Sequence, residues 1–288
     1  MYFANDYLGT LELLDHALPI ITERPALNWI AVVDQAFDYQ AAPLRWHSES
    51  VYLYDNDLMQ QFAKLSPVLL PLPTDEPDRL RKVLISLFAH CEGRPMLSLI
   101  ASEQSATEIA KAWRPYQKVK TDDGQSFILR LADTRVLPAL AVALPPAAWH
   151  GLTHQFAAWY IINRSGDLEN IPLAETDAEI PDEITLDAEA VAMMLDLGQP
   201  DAVIAALHEK MPDLAPDSQR AQFYQRITDI CAYAKQYRVE SFQDIVALAI
   251  LACVTNNEAM TNPKLQQLLQ QHKWKQGNLI SELEVYVE

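Results

Sequence analysis

Apolar positions along the chain change period several times, and each change predicts an element. Tyr7, Leu8, Leu11, Leu14 and Leu18 fall at helical spacing and predict an amphipathic helix from about Asp6, ending before Pro19. "NWIAVV" (Asn28–Val33), halted by Asp34, is β-rich, and "SPVLLPL", "PMLSLIA" and "FILRLA" share that character, so these runs are expected as strands of one sheet. Between them Leu80, Val83, Leu84, Leu87 and Phe88 form a helical stripe, and Ser105 with Glu108 three positions later reads as a helix cap. Asp123-Gly124 in "KTDDGQ" predicts a hairpin between Val119 and Phe127, and "FAAWYII" (Phe156–Ile162) predicts one more strand. After the strands end, Phe223, Ile227, Ile230, Ala234 and Tyr237 make one helical stripe. Ser241 opens a second helix through "FQDIVALAILACV", and "NPKLQQLLQQ" and "NLISELEVYV" predict two more.

The expected fold class is α+β: an N-terminal mixed α/β lobe with a small sheet (residues 1–165), then an all-helical C-terminal lobe (187–288). Residues 166–186 are expected as an acidic linker, its core at about Asn170–Thr185. From Asp167 to Glu189 nine carboxylates arrive without a Lys or Arg, and self-repulsion opposes packing.

Charge then narrows the partners. Half of the 288 residues are apolar, enough for a sizeable core, and the formal net charge is -17, which disfavours nucleic acid. The N-terminus lacks the positive and apolar regions of a signal peptide, and no apolar run reaches the length of a membrane span, so a cytoplasmic protein without a membrane span is expected. Cys91, Cys231 and Cys253 have no metal or redox spacing and read as small buried residues of a reducing compartment.

Candidate chemistry is sparse. His150 and His154 in "HGLTH" have the i, i+4 spacing of two imidazoles on one helix face, but Gly151 stands where a zincin requires Glu. No phosphate-binding loop, dinucleotide fingerprint or nucleophile elbow occurs, so no catalytic, cofactor-binding or metal residue is assigned. The run "FILRLADTRVLPAL" (Phe127–Leu140) is more distinctive. As a strand it would place Arg130 among apolar neighbours, where an unpaired guanidinium is costly. Asp133 would cap the following turn with Arg135 bracing it, while Pro138 argues for a regular helix starting nearer Leu137. A strand-to-helix corner locked by charge is favoured over a reactive centre.

At these residues the chain resembles the type VI secretion adaptor proteins, or effector chaperones. "LRLADTRVL" carries the family's Arg, two residues, then Asp-x-Arg-Val-Leu pattern through Arg130, Asp133, Arg135, Val136 and Leu137, with Thr134 where proline is usual. "WIAVVDQAFDYQ" is similar to the family's opening strand, with Asp34 and Ala36 in place. "SVYLYDNDLMQQFAKLSPVLLPL" is similar to the segment leading into its next strand, with Val68 where an aromatic is common. The resemblance covers about Asn28 to Gly166 and only loosely the helical tail. It implies a non-enzymatic protein that binds a cognate effector in the producing cell and helps load it onto the spike protein, without cofactors. Trp149, Trp159, Tyr233, Tyr237 and Trp274 are possible partner anchors, although such aromatics are more often core. The rival reading is a hydrolase using carboxylates and His150 or His154.

Overall fold

The structure, a computed structural model, describes residues 2–38, 49–56 and 59–287. Two parts of the family-like segments, Tyr39–Gln40 at the end of the first and Asp57–Leu58 within the second, lie outside the described residues. The fold is α+β, built as two compact units: Tyr7–Leu195, and Met1–Asp6 together with Asp196–Glu288.

The first unit runs α1 (Thr10–Thr22), β1 (Asn28–Asp34), β2 (Val51–Tyr52), β3 (Pro67–Pro71), α2 (Pro77–His90), β4 (Leu97–Ser102), α3 (Ala106–Trp113), β5 (Lys118–Thr121), β6 (Ser126–Ile128), α4 (Leu137–Ala143), α5 (Pro146–Thr153), β7 (Phe156–Ile162), β8 (Leu168–Asn170) and β9 (Ile184–Leu186). Six strands form an antiparallel sheet in the order β2-β3-β1-β4-β7-β8. Both faces of its centre are covered, which explains the nearly unbroken apolar runs. In β1, Trp29, Ala31 and Val33 pack with α1 and α2, while Ile30 and Val32 pack on the opposite face with α3 and a layer of tryptophans. Trp159 lies at the middle of that layer, stacked on Trp149 at 5.8 Å and 5.5 Å from Trp113.

Several local signals act as expected. Ser105 and Glu108 form a complete capping box at α3. Gly124 takes a left-handed φ of 83° in the β5–β6 hairpin, a conformation costly for a side chain bearing Cβ. Leu80, Leu84, Leu87 and Phe88 of α2 are buried.

Other expectations are corrected. Helix α1 starts four residues later than Asp6 and continues through Pro19 to Thr22, and it buries Leu13, Leu14, Ala17 and Ile21 while Leu11 is exposed. "FILRLA" is not a fourth strand of the main sheet. Only Ser126–Ile128 is a strand, and it belongs to a separate sheet, β6-β5-β9, in which β9 runs parallel to β5. The acidic stretch 166–186 lies within the first unit and supplies β8 and β9. Ile171 is buried, and Leu173, Ala174 and Ile180 pack on the core. The division between units falls instead inside α6 (Ala188–Lys210), which, against the expectation that no segment is long and apolar enough, has the length and composition to cross a membrane. Asp187 caps it by accepting the Ala190 N–H at 2.8 Å, and Val203, Ile204 and Leu207 are buried in the helical core.

That second unit adds α7 (Arg220–Gln236), α8 (Phe242–Val254), α9 (Pro263–Gln271) and α10 (Ile280–Leu283). Phe223, Ile227, Ile230 and Ala234 bury the expected stripe of α7, with Tyr237 only half-buried, and α8 is buried on most sides. The side chain of α7's N-cap residue, Gln219, makes no capping bond; the Asp6 carboxylate does, accepting from Arg220 N at 2.8 Å and Ala221 N at 3.1 Å. Tyr2 is packed between His208, stacked at 5.3 Å, and the Arg220 guanidinium at 5.2 Å.

Candidate functional site

Asp34 closes β1 at the sheet centre, its N–H bonded to Met96 O at 2.9 Å. Its carboxylate accepts the Ala36 N–H at 2.9 Å and so turns the chain into a short 3-10 helix, Gln35–Asp38. This turn presents Phe37 and the buried Asp38. His90 Nε2 and Arg94 Nη1 reach Asp38 Oδ1 at 2.9 and 2.8 Å from the end of α2 and the turn that follows, and Arg94 also donates to the His90 carbonyl.

The segment after β6 meets this turn. Leu129, Leu131 and Ala132 are buried, which breaks the strand alternation expected for "FILRLA" and brings Asp133 to 1% exposure. Arg130 bridges two aspartates, with Nη2 at 2.6 Å from Asp34 Oδ2 and Nη1 at 3.0 Å from Asp133 Oδ2. Arg135 grips Asp133 from the other side, Nε to Oδ1 at 3.0 Å and Nη2 to Oδ2 at 2.8 Å. Bidentate geometry of this kind is among the stronger ion-pair arrangements. Asp133 also accepts the Arg135 N–H at 3.1 Å, and its carbonyl receives Val136 and Leu137, while Thr134 N bonds Pro95 O at 3.1 Å. Helix α4 then begins at Leu137 with Pro138 in its first turn, where the missing N–H has no intrahelical partner to lose. The Phe37 ring lies 5.1 Å from the Arg130 guanidinium and 5.4 Å from that of Arg135.

The four motif residues Asp34, Arg130, Asp133 and Arg135, up to 101 positions apart, therefore form one network. Asp34, Asp38 and Asp133 face Arg94, Arg130 and Arg135, so opposite charges balance in a largely buried place. Burial pushes the Asp34 carboxyl above its ordinary value, and Arg130 offsets only part of that effect. The arrangement ties the end of β1, the corner before α4 and the turn before β4 together: its chemistry is that of a lock. The sequence does not single out Phe37, Asp38, His90 or Arg94: Phe37 and Asp38 lie inside the family-like segment without standing apart in it, and His90 and Arg94 offer only their four-residue spacing.

His150 lies on α5 and His154 at its C-cap, rings 5.5 Å apart. Their Nδ1 atoms face main-chain oxygens: Ala174 O at 2.8 Å from His150, and His150 O at 3.2 Å from His154. Among the described residues no group of three or more His, Cys, Asp or Glu is placed to hold a metal ion. Of the possible aromatic anchors, Trp149 and Trp159 are core, Tyr233 and Tyr237 are half-buried against each other at 4.7 Å, and Trp274 donates to buried Asp244 at 3.0 Å.

Residues 29–151 match the family model described as a domain of unknown function, DUF4123. The match starts in β1 and ends in α5, so it encloses the whole network. No curated protein and no solved structure matches the chain.

Proposed function

We propose, for a chain that carries over residues 29–151 the DUF4123 domain of the type VI secretion effector chaperone and adaptor family, that it binds one cognate effector protein in the cytoplasm of the producing cell and helps load it onto the spike protein. The observation that carries this reading is the family domain, whose four motif residues Asp34, Arg130, Asp133 and Arg135 meet in one buried network. The role is one of binding, without catalysis or cofactor. The network supports it as scaffold: it fixes the domain's shape, and partner contacts lie elsewhere on its surface. The net charge of -17 favours a basic partner surface and faster encounter. The hydrolase reading is the weaker of the two: the His150 and His154 Nδ1 atoms face main-chain oxygens, and among the described residues no hydrogen bond or ion pair joins either ring to a carboxylate.

The test is to tag the protein in its native strain, identify what co-purifies under secretion-active conditions, and delete the gene. One effector and a spike protein should be recovered, and secretion of that effector alone should stop. Recovery of neither overturns the proposal. Affinity for the effector should fall as salt rises, and an affinity indifferent to salt removes the electrostatic part.

A further inference from the structure

Between β8 and β9 the chain runs for thirteen residues, 171–183, with neither helix nor strand, long for such a connection in a compact unit. Its attachment is unusual. Among the described residues, no backbone-to-backbone hydrogen bond holds residues 172–183. The strap is instead held by side chains that donate to its carbonyls: Trp149 Nε1 to Pro172 O at 2.9 Å, His150 Nδ1 at Ala174 O at 2.8 Å, and Tyr116 Oη to Pro181 O at 2.9 Å. Beneath it Gly151 leaves room that a side chain would fill, since a Cβ there would lie 2.9 Å from Ile180 Cγ2 and 3.1 Å from Tyr116 Oη. Leu173, Ala174 and Ile180 turn toward the core, whereas Glu175, Asp177, Glu179, Asp182 and Glu183 are exposed, with one surface partner, Lys120, at 2.6 Å from Glu183.

Donors that bond main-chain carbonyls read a peptide by its backbone, and two of the three carbonyls here belong to prolines. Aromatic donors over proline carbonyls are a general means of holding segments that cannot supply their own N–H groups. The like charges along the strap oppose its own seating. We infer that Tyr116, Trp149, His150 and Gly151 form a peptide-reading groove, occupied in cis by this strap, which opens to take a proline-punctuated, non-helical segment of the effector in exchange. The identity of that occupant rests on the adaptor reading above; the groove itself does not.

The test uses the full chain and a fluorescent peptide of residues 170–186. The peptide should bind the intact protein weakly, because the cis strap fills the groove most of the time, and more than tenfold tighter when residues 172–183 are replaced by an equal length of Gly and Ser. Ile180→Ala in the chain alone gives the same direction with little risk to folding. In the strap-replaced chain, Tyr116→Phe and Trp149→Phe should each weaken peptide binding by roughly tenfold. A folded, strap-replaced protein that does not bind the peptide overturns the groove. Binding to that variant but not to the intact protein or to Ile180→Ala, at a hundredfold higher concentration, makes the strap a fixed wall and overturns the exchange. Effector that binds the intact protein without displacing the peptide overturns the occupant while the adaptor reading stands; effector that fails to bind at all overturns the adaptor reading while the groove stands.

Discussion

Each unit is fastened by an aspartate with 1% exposure, and the two are neutralised in opposite ways. In the α/β unit Asp133 faces two guanidiniums, each of which keeps an edge toward solvent. In the helical unit Asp244, in the first turn of α8, faces neutral donors: Trp274 Nε1 at 3.0 Å, Gly277 N at 2.8 Å and Leu279 N at 2.8 Å. The first arrangement gathers two guanidiniums from Asp133's own corner, three residues before it and two after, with Arg130 reaching on to Asp34 at the end of β1; the second wraps a single loop from 30 to 35 positions away around one carboxylate. Two ions share the desolvation cost at Asp133, whereas at Asp244 oriented dipoles bear all of it. Removal of the carboxylate therefore leaves different debris: cations that can turn to water in one unit, and neutral N–H groups in the other, of which that of Leu279 is buried.

The largest effect is expected at Asp244→Ala. Three hydrogen bonds to a charged acceptor disappear and two main-chain donors are stranded, for a loss of about 4 kcal/mol confined to the helical unit. Hydrogen exchange read separately over α8 and over β1 checks this, and equal loss in both units breaks the comparison. Asp133→Ala should cost about 3 kcal/mol in the α/β unit, more than the roughly 1 kcal/mol of its lost bond to the Arg135 N–H alone, because Arg135 loses its carboxylate and Arg130 keeps only Asp34. Urea titration followed by exchange over β1 and β4 would show it. A loss near 1 kcal/mol would mean that both guanidiniums escape to solvent freely.

Much of the sheet was legible because its signals are local. The Ser105–Glu108 box, the Asp123-Gly124 turn and the two-sided apolar run of β1 each lie within one element and need no distant partner. The network was only half legible. Arg130 and Asp133 announce themselves as charges in an apolar run, but Arg130 finds Asp34 across 96 positions, beside a Phe37 ring that no local pattern places there. Charge composition misled at the strap, where self-repulsion suggested a linker. Its few apolar residues and its carbonyls are held by side chains from α5 and Tyr116 that no local pattern predicts.

Two smaller effects sharpen the contrast. Ser105→Ala, which removes a solvent-exposed cap from α3, should cost about 1 kcal/mol by urea titration and gives the scale of a fastening that is not buried. The smallest concerns pH. The Asp34 carboxyl is raised in the folded protein, so between the ordinary value near pH ~4 and its raised value the folded state holds a proton that the unfolded chain has released. Stability from this residue therefore falls as pH rises through that window, and Asp34→Asn should flatten that part of the profile at a cost of about 1 kcal/mol at neutral pH. An unchanged slope would assign the pH dependence to another group.

The Asp6 cap on α7 bears on how the molecule is dissected. A piece cut at residue 187, where composition suggests a border, would hold every helix of the second unit and still lack the carboxylate that caps one of them and the ring between His208 and Arg220. Residues 2–6 would leave with the wrong half. A faithful helical fragment is one in which those residues are grafted ahead of α6, a circular rearrangement of the chain order, and a label at the N-terminus reports on the helices and not on the strands it precedes.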